Sequence, residues 1–216
     1  MGVLDYQVSA SADDVDLYWN GASWVMYPLA SISLIVGYGS AAGLKRGTGH
    51  RFSGVTIPSG ALITLAYLSF AAHSSDSNNA VNTRITGNKE NDPATFSTLA
   101  DFQARRGTVV GGADNSKITT AQVTWDSVPA WTAGNWYNTP NISSVIQELV
   151  DAHAPANEAL VLFWDDFDGR STATNATYRQ PYSYDHAPNT FGAKLHIEYG
   201  ETMSVSQIPL GIFRVQ

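Results

Sequence analysis

The fold of this chain is indicated first by residues 61–73, which read ALITLAYLSFAAH. Side chains at alternate positions of a strand point to opposite faces, and both sets are largely apolar in this segment. A strand with two largely apolar faces is typical of the central position in a two-layer sandwich. Pro58-Ser59-Gly60 before it is a turn signal, and residues 51–57 alternate polar and apolar side chains. The segment therefore predicts a central strand that a turn connects to the strand before it.

Short strand-like segments recur along the chain. They are rich in β-branched and aromatic residues, with Gly, Pro, Ser and Asn between them. Many short strands with such turns indicate an antiparallel sandwich or barrel. The candidate strands are residues 15–19, 32–36, 51–57, 61–73, 82–87, 121–125, 159–164, 177–184 and 194–199.

One segment has the period of a helix instead. Residues 139–151 read TPNISSVIQELVD and place their apolar side chains on one helical face. Pro140 suits the first turn, and Thr139 is the predicted N-cap. A helix of roughly three turns is too short to be stable alone, so its apolar face is expected to cover a sheet. The prediction is an all-β antiparallel fold with one short capping helix at about 140–151.

The composition restricts the possible functions. Only 14% of the 216 residues are charged, against about 25% in an ordinary soluble domain, and 44% are hydrophobic. A chain of this kind can bury enough surface to fold. The absence of Cys excludes a disulfide scaffold, a Cys-ligated zinc site and a cysteine nucleophile. The net charge of −7 argues against a nucleic-acid partner, because phosphates require a basic face.

The N-terminal sequence lacks targeting features. Residues 1–6, MGVLDY, have neither the basic nor the apolar region of a signal peptide. No apolar run approaches the ~20 residues that a membrane helix needs. We therefore expect synthesis in the cytoplasm without export by the usual route, and no membrane insertion.

The chain is expected to divide into a sandwich domain, residues 1–200, and a C-terminal segment, residues 201–216. Two interpretations of that segment are open. It could be a further strand of the same sandwich, or an assembly arm that adds a strand to a neighbouring subunit. Free fraying would leave many apolar groups in water. The apolar residues of the predicted arm include Val205, Ile208, Leu210, Ile212 and Phe213.

Catalytic signatures are sparse. The chain has no Gly-x-Ser-x-Gly elbow, no His-Glu-x-x-His motif and no phosphate loop, and its five histidines are scattered singly. A glycosidase needs two acids facing each other across a cleft, and no sequence pattern fixes such a pair here. We therefore expect no enzymatic activity. The acids that could supply a pair are Glu148, Asp165, Asp166, Asp168 and Asp185.

Several blocks of sequence resemble a known family. The blocks are RFSGVTIPSGA (51–61), DPATFS (92–97), VTW (123–125), TPNIS (139–143), IQELV (146–150) and LHIEY (195–199). Together they are similar to jelly-roll domains related to the disaggregatase-related (DNRLRE) family, which are described as carbohydrate-binding-module-like. Versions of these domains occur in environmental and bacteriophage structural proteins. The resemblance spans roughly residues 13–199 and implies a jelly roll, often with structural calcium and a sugar-binding face.

Two acidic clusters are candidate calcium sites. Calcium prefers several carboxylate and carbonyl oxygens, which closely spaced acids before a Gly turn can supply. The resemblance implies a calcium near the start of the domain as well. The other interpretation of the later cluster is a solvated loop whose acids pair with Arg170 or Arg179. The candidate ligands are Asp13 and Asp14 in the first cluster, and Asp165, Asp166 and Asp168 in the second.

Aromatic residues are the candidates for contact with a carbohydrate or a protein partner. Planar rings stack on sugar faces and lose little conformational entropy. Packing within the loops is the alternative for the tryptophans before the helix. Trp19 and Trp24 flank Asn20-Gly21, a predicted hairpin turn. The candidate contact residues are Trp131, Trp136 and Tyr137 before the helix, with Tyr178 and Tyr182 on one predicted strand face.

These observations predict a non-enzymatic structural or attachment protein, most specifically a phage virion surface component of decoration, fibre or tail type. Its expected partners are copies of itself or other virion proteins, with glycan as a further ligand. Its expected location is the surface of a virion or other extracellular particle. A stand-alone carbohydrate-binding module is the alternative, and a polysaccharide lyase or glycoside hydrolase is the third hypothesis.

Overall fold

The computed structural model describes residues 1–39, 44–76, 79–172 and 177–200, and this part of the chain is mostly β-structure. Two α-helices, α1 (Leu99–Arg106) and α2 (Ser143–His153), accompany twelve strands in these residues. The strands are β1 (Gly2–Gln7), β2 (Asp14–Trp19), β3 (Trp24–Met26), β4 (Val36–Tyr38), β5 (Lys45–Thr56), β6 (Leu62–Ala71), β7 (Val81–Gly87), β8 (Val123–Val128), β9 (Trp136–Asn138), β10 (Ala156–Asp165), β11 (Thr177–Arg179) and β12 (Lys194–Gly200).

The strands form two antiparallel sheets. The smaller sheet has the order β1-β12-β6-β9. The larger has the order β11-β4-β5-β10-β7-β8, with β2 also paired to β5 and β3 paired to β2. The segment at residues 61–73 is a central strand, β6, as predicted.

The connectivity is that of a jelly roll. With β2, β3, β4 and β11 set aside as additions, eight strands remain. When these eight are numbered in chain order, the sheet β1-β12-β6-β9 contains strands 1, 8, 3 and 6. The remaining sheet, β5-β10-β7-β8, contains strands 2, 7, 4 and 5. Successive strands therefore cross repeatedly between the two sheets, as in two interlocked Greek keys. The predicted antiparallel jelly-roll β-sandwich is confirmed.

Strand β10 is buried on both faces. Leu160, Leu162 and Trp164 point into the main core between the two sheets. Val161 and Phe163 point to the opposite face of the larger sheet, where a second core lies. The continuous apolar run at residues 159–164 follows from this position, since a strand covered on both sides has no polar face.

Helix α1 covers the second core. Phe102 on this helix and Phe96 before it lie over β5, where a Cβ at Gly49 would come within 2.7 Å of the Phe96 ring. Thr98 caps the helix by accepting a hydrogen bond from the Asp101 N–H at 3.2 Å. The sequence prediction of a single helix is incomplete, because it did not include α1.

Helix α2 is the predicted capping helix. Val145, Ile146 and Leu149 are buried in the main core, as the helical period indicated. The predicted N-cap is wrong: the Thr139 Oγ1 accepts a hydrogen bond from the Leu68 N–H at 3.0 Å, on strand β6. The hydroxyl therefore accepts a hydrogen bond from the sheet instead of capping the helix, and α2 begins only at Ser143.

A bulge in β6 changes which side chains face the core. Glu198 of β12 pairs with Leu65 and Tyr199 pairs with Ile63, so Thr64 is an extra residue. The bulge reverses the alternation, and Ile63 is buried while Leu62 is exposed.

The sandwich extends to residue 200, and the predicted arm at residues 201–216 lies outside the described residues. In the described part of the chain, no helix has the length and apolar character needed to cross a membrane.

A buried ion pair joins α1 to β10. The Arg106 guanidinium donates two hydrogen bonds to Asp165, at 2.7 and 3.1 Å, and the two side chains are only 5% and 2% exposed. A buried charge whose partner is removed is strongly destabilising, whereas an apolar pair of similar volume is tolerated.

We expect Arg106→Met to lower the free energy of unfolding by about 3–5 kcal/mol, because it leaves the Asp165 charge buried and unpaired. Adding Asp165→Leu to that variant should restore most of the loss. The control is Arg84→Met, whose pair with Asp168 is partly exposed and should contribute about 0–1 kcal/mol. Urea unfolding measures all three, and equal losses in the two single variants would contradict the prediction.

Candidate functional site

Five aromatic rings form a continuous, partly exposed surface, the ring patch: His73, Trp136, Tyr182, His186 and Phe191. Tyr182 lies at its centre, with ring centroids 4.2 Å from His186, 4.9 Å from His73 and 4.9 Å from Phe191, on which it stacks. Trp136 lies 6.5 Å from Phe191 and is 37% exposed. A patch of this kind on a domain surface commonly marks a binding site.

The patch is assembled at the end of strand β6 from three distant parts of the chain. Trp136 on β9 pairs with Ala71, and the Tyr182 N–H donates to the Ala71 carbonyl at 2.9 Å. The His73 N–H donates to the Gln180 carbonyl at 2.8 Å. Backbone hydrogen bonds therefore fix the positions of these rings relative to one another.

The loop that carries Tyr182, His186 and Phe191 is also held by side chains. The Gln7 amide donates to the carbonyls of Thr190 and Gly192, at 2.9 and 3.1 Å. A carboxylate oxygen of Asp14 accepts a hydrogen bond from the Tyr184 N–H at 2.8 Å. A surface ordered in this way loses little entropy when a ligand binds.

Two polar features modify the chemistry of the patch. The Lys194 ammonium lies 4.1 Å from the centroid of the Trp136 ring and places a cation at that end. At the other end, burial and the neighbouring His186 lower the pKa of His73, with Asp76 opposing them. His73 is therefore neutral at pH 7, while the Lys194 ammonium supplies a cation at the other end of the patch.

Two of the predicted contact residues, Trp136 and Tyr182, belong to the patch. The prediction for Trp131 is wrong, because this residue is only 2% exposed and stacks on Tyr137 at 5.0 Å in the main core. Tyr137 is half-buried, and its hydroxyl accepts a hydrogen bond from the Thr132 N–H. Tyr178 lies on β11 and, among the described residues, makes no ring contact with the patch.

The predicted strand at residues 177–184 is wrong beyond Arg179, where β11 ends. Pro181 has no N–H to donate to a ladder, and it forms only an isolated bridge with Ala72. Tyr182 forms a separate bridge with Ser33. Tyr178 and Tyr182 consequently do not share one strand face.

The second acidic cluster does not fit calcium. Asp165 is paired with Arg106, and Asp168 is paired with Arg84. Asp166 accepts hydrogen bonds from the N–H groups that follow it in the turn, including that of Ser171 at 3.0 Å. Within the described ranges, no three His, Asp or Glu side chains are placed to hold a metal ion. Calcium takes six to eight oxygens, and these carboxylates are already used by other groups.

The first acidic cluster has a different arrangement. Asp13 pairs with Arg51 at 2.8 Å, which leaves it unsuited to a cation. Burial raises the pKa of Asp14 to about 8 and that of Asp16 to about 7, although the neighbouring Arg46 opposes the shift of Asp16. Asp14 therefore carries a proton at pH 7 and acts as an anchor for the Tyr184 backbone.

No protein-family model matches this chain, and no curated protein matches it in sequence. The resemblance to disaggregatase-related domains therefore stays a prediction.

We expect the contribution of Asp14 to the free energy of unfolding to fall as the pH rises from 5 to 8, by on the order of 1 kcal/mol per pH unit. The pKa of Asp14 is raised in the folded state, so the folded protein binds more protons than the unfolded chain above pH 3.8. The stabilisation is complete below that pH and is lost as the pH passes about 8. Asp14→Asn should remove this contribution while preserving the acceptor for the Tyr184 N–H, and Asp16, whose pKa is also raised, keeps its own pH dependence.

Thermal unfolding between pH 5 and 9 measures this dependence. The control variant is Asp114→Asn, because Asp114 is exposed and hydrogen bonds to Ser116 lower its pKa, so it does not titrate in this range. A difference between the wild-type and Asp14→Asn profiles that does not change with pH would contradict the role of Asp14.

Proposed function

We propose that this protein is a non-enzymatic attachment module whose jelly roll binds glycan through the ring patch. The observation that carries the proposal is the set of partly exposed rings from His73 to Phe191, held by backbone hydrogen bonds at one end of the smaller sheet. Sugar rings present apolar C–H faces, which stack on planar side chains. A rigid aromatic surface is therefore suited to an extended saccharide.

Hydrogen-bonding groups lie beside the patch. Asn138, Ser69, Lys194 and Gln7 occupy paired positions across β9, β6, β12 and β1. Directly paired residues project to the same face of a sheet, so these four side chains form one row. Asn138 is two residues after Trp136 on β9, so the row lies on the same face as the Trp136 ring. Amide, hydroxyl and ammonium groups next to rings match the alternation of hydroxyls and C–H faces on a sugar. This combination favours glycan over an apolar partner.

The positions of the candidate acids support a non-enzymatic role. Asp165 is neutralised by Arg106. Glu148 accepts hydrogen bonds from the N–H groups of Thr120 and Ala121, at 2.9 and 2.7 Å. These carboxylates stabilise the fold, so they are poorly suited to act as the acid and base of a hydrolase or lyase.

The particle is proposed to be a phage virion, on which the module is a decoration, fibre or tail component that associates with copies of itself. The predicted resemblance of the sequence blocks to jelly-roll domains, versions of which occur in phage structural proteins, supports this part of the proposal. The low content of charged residues also supports it, because densely packed neighbours of like charge would repel one another.

We expect Trp136→Ala and Tyr182→Ala each to weaken glycan binding about 3- to 10-fold, since a ring contact contributes ~0.5–1.5 kcal/mol. A glycan array identifies the saccharide, and calorimetry measures its affinity. Tyr178→Ala is the matched control, because it removes a half-buried tyrosine outside the patch. Silence on the array, or unchanged affinity in both patch variants, would overturn the glycan proposal.

We expect the full chain to be larger than its 23.2 kDa monomer in light scattering, and deletion of residues 201–216 to reduce its mass to that of a monomer. The apolar residues of this segment would supply the added strand between subunits. A stable monomer before and after the deletion contradicts self-association.

A further inference from the structure

A second aromatic site lies on the larger sheet, at the tip of the β2–β3 hairpin. Trp19 and Trp24 are directly opposite each other in the register, with ring centroids 5.4 Å apart and an interplanar angle of 61°. Together with Lys45 at the start of β5, they line a cavity of about 210 Å³. We call this cavity the Trp–Lys pocket.

The walls of the pocket are fixed by the fold. The Trp24 ring packs edge-on against Phe167 of the second core, with centroids 5.1 Å apart. The hairpin turn is held by Asn20, whose Oδ1 accepts hydrogen bonds from the Ala22 and Ser23 N–H groups at 2.9 and 2.8 Å. Both indoles remain partly exposed, so they are available to a ligand.

Lys45 is the unusual member of the pocket. Within residues 1–39, 44–76, 79–172 and 177–200, each of the other three lysines has a partner: Lys89 and Lys117 each lie beside a glutamate, and Lys194 lies over a tryptophan ring. The arginines that form ion pairs lie beside acids as well. The Lys45 ammonium lines the pocket with both indoles, but in those ranges it forms neither an ion pair nor a cation–ring contact of this kind. Its stem lies against Gly169, where an added Cβ would come within 3.0 Å of the Lys45 Cε. The pocket therefore combines two rings with an uncompensated cation, on a protein whose net charge is −7.

We propose that the Trp–Lys pocket binds one carboxylated pyranose, such as a hexuronic acid unit of an acidic polysaccharide. The rings would stack on the sugar, and Lys45 would pair with its carboxylate. The volume suits a single sugar unit, being below the about 300–1,000 Å³ of pockets for drug-sized ligands. The pocket shares no residue with the ring patch, so the proposal does not rest on the proposed function.

The test is a calorimetric titration of the full chain with galacturonic acid oligosaccharides and with neutral galactose oligosaccharides of the same length. We expect the acidic ligand to bind at least about 10-fold more tightly, because of the charge-assisted contact. Lys45→Met keeps the aliphatic stem and should abolish this preference, while Lys45→Arg should retain it. Added salt should weaken the acidic ligand selectively.

Trp19→Ala is the ring variant, because Trp24 also packs on the core and its removal would disturb the fold. We expect Trp19→Ala to weaken acidic binding about 3- to 10-fold. Tyr178→Ala should leave it unchanged, because Tyr178 lies on β11 outside both the Trp–Lys pocket and the ring patch. Acidic binding that survives both Trp19→Ala and Lys45→Met overturns the proposal, as does an absence of binding. Equal affinity for a sulfated oligosaccharide overturns the assignment to a carboxylate.

Discussion

The burial of strand β10 on both faces is the constraint on which the rest of the structure depends. Its Trp164 lies at the centre of the main core, stacked on Phe70 at 4.4 Å and on Trp125 at 5.4 Å, and its indole N–H donates to Thr83 at 2.8 Å. Phe163 on the opposite face requires a second apolar layer. The chain meets that requirement with α1 and the segment before it, so the larger sheet is covered on its second face around β10, while the smaller sheet is covered on one face only.

This asymmetry determines where ligand-binding surfaces can form. The smaller sheet keeps one face in solvent, and the ring patch lies at its end, where β9 and the loop after β11 meet β6. The outer face of the larger sheet is covered around β2 and β10 by the second core, and the added hairpin β2–β3 extends the sheet, with the Trp–Lys pocket at the hairpin tip. The residues of both sites lie in loops or at the ends of strands, which agrees with the general location of binding residues on loops held by a rigid scaffold.

Periodicity predicted α2 and several of the strands, because these depend on local sequence. The prediction at residues 32–36 is wrong, since only an isolated bridge at Ser33 and the first residue of β4 occur there, and β1, β3 and β9 were not predicted. Helix α1 was missed because its buried positions include Arg105 and Arg106 as well as Phe102, so it has no apolar stripe. The ring patch was only partly predicted for a related reason. His73 and Tyr182 are far apart in sequence, and only the topology of the sheets brings them into contact. The same limit applies to the acidic clusters, because the Arg106 that neutralises Asp165 is 59 residues away.

Several of the few charged side chains of this protein form buried ion pairs. Ion pairs connect distant segments of the chain, as between Asp165 and Arg106 and between Asp13 and Arg51. The two carboxylates are therefore unavailable to solvent or to metal ions. The rings of the two proposed sites and the uncharged polar groups beside them suit the mixed apolar and hydroxylated surface of a saccharide, as the proposed function requires. Lys45 differs from the cations of the ion pairs, because neither an ion pair nor a cation–ring contact holds its ammonium in the described residues. A cation without an acid partner that lines a pocket with two indoles is the physical reason to propose an anionic ligand there.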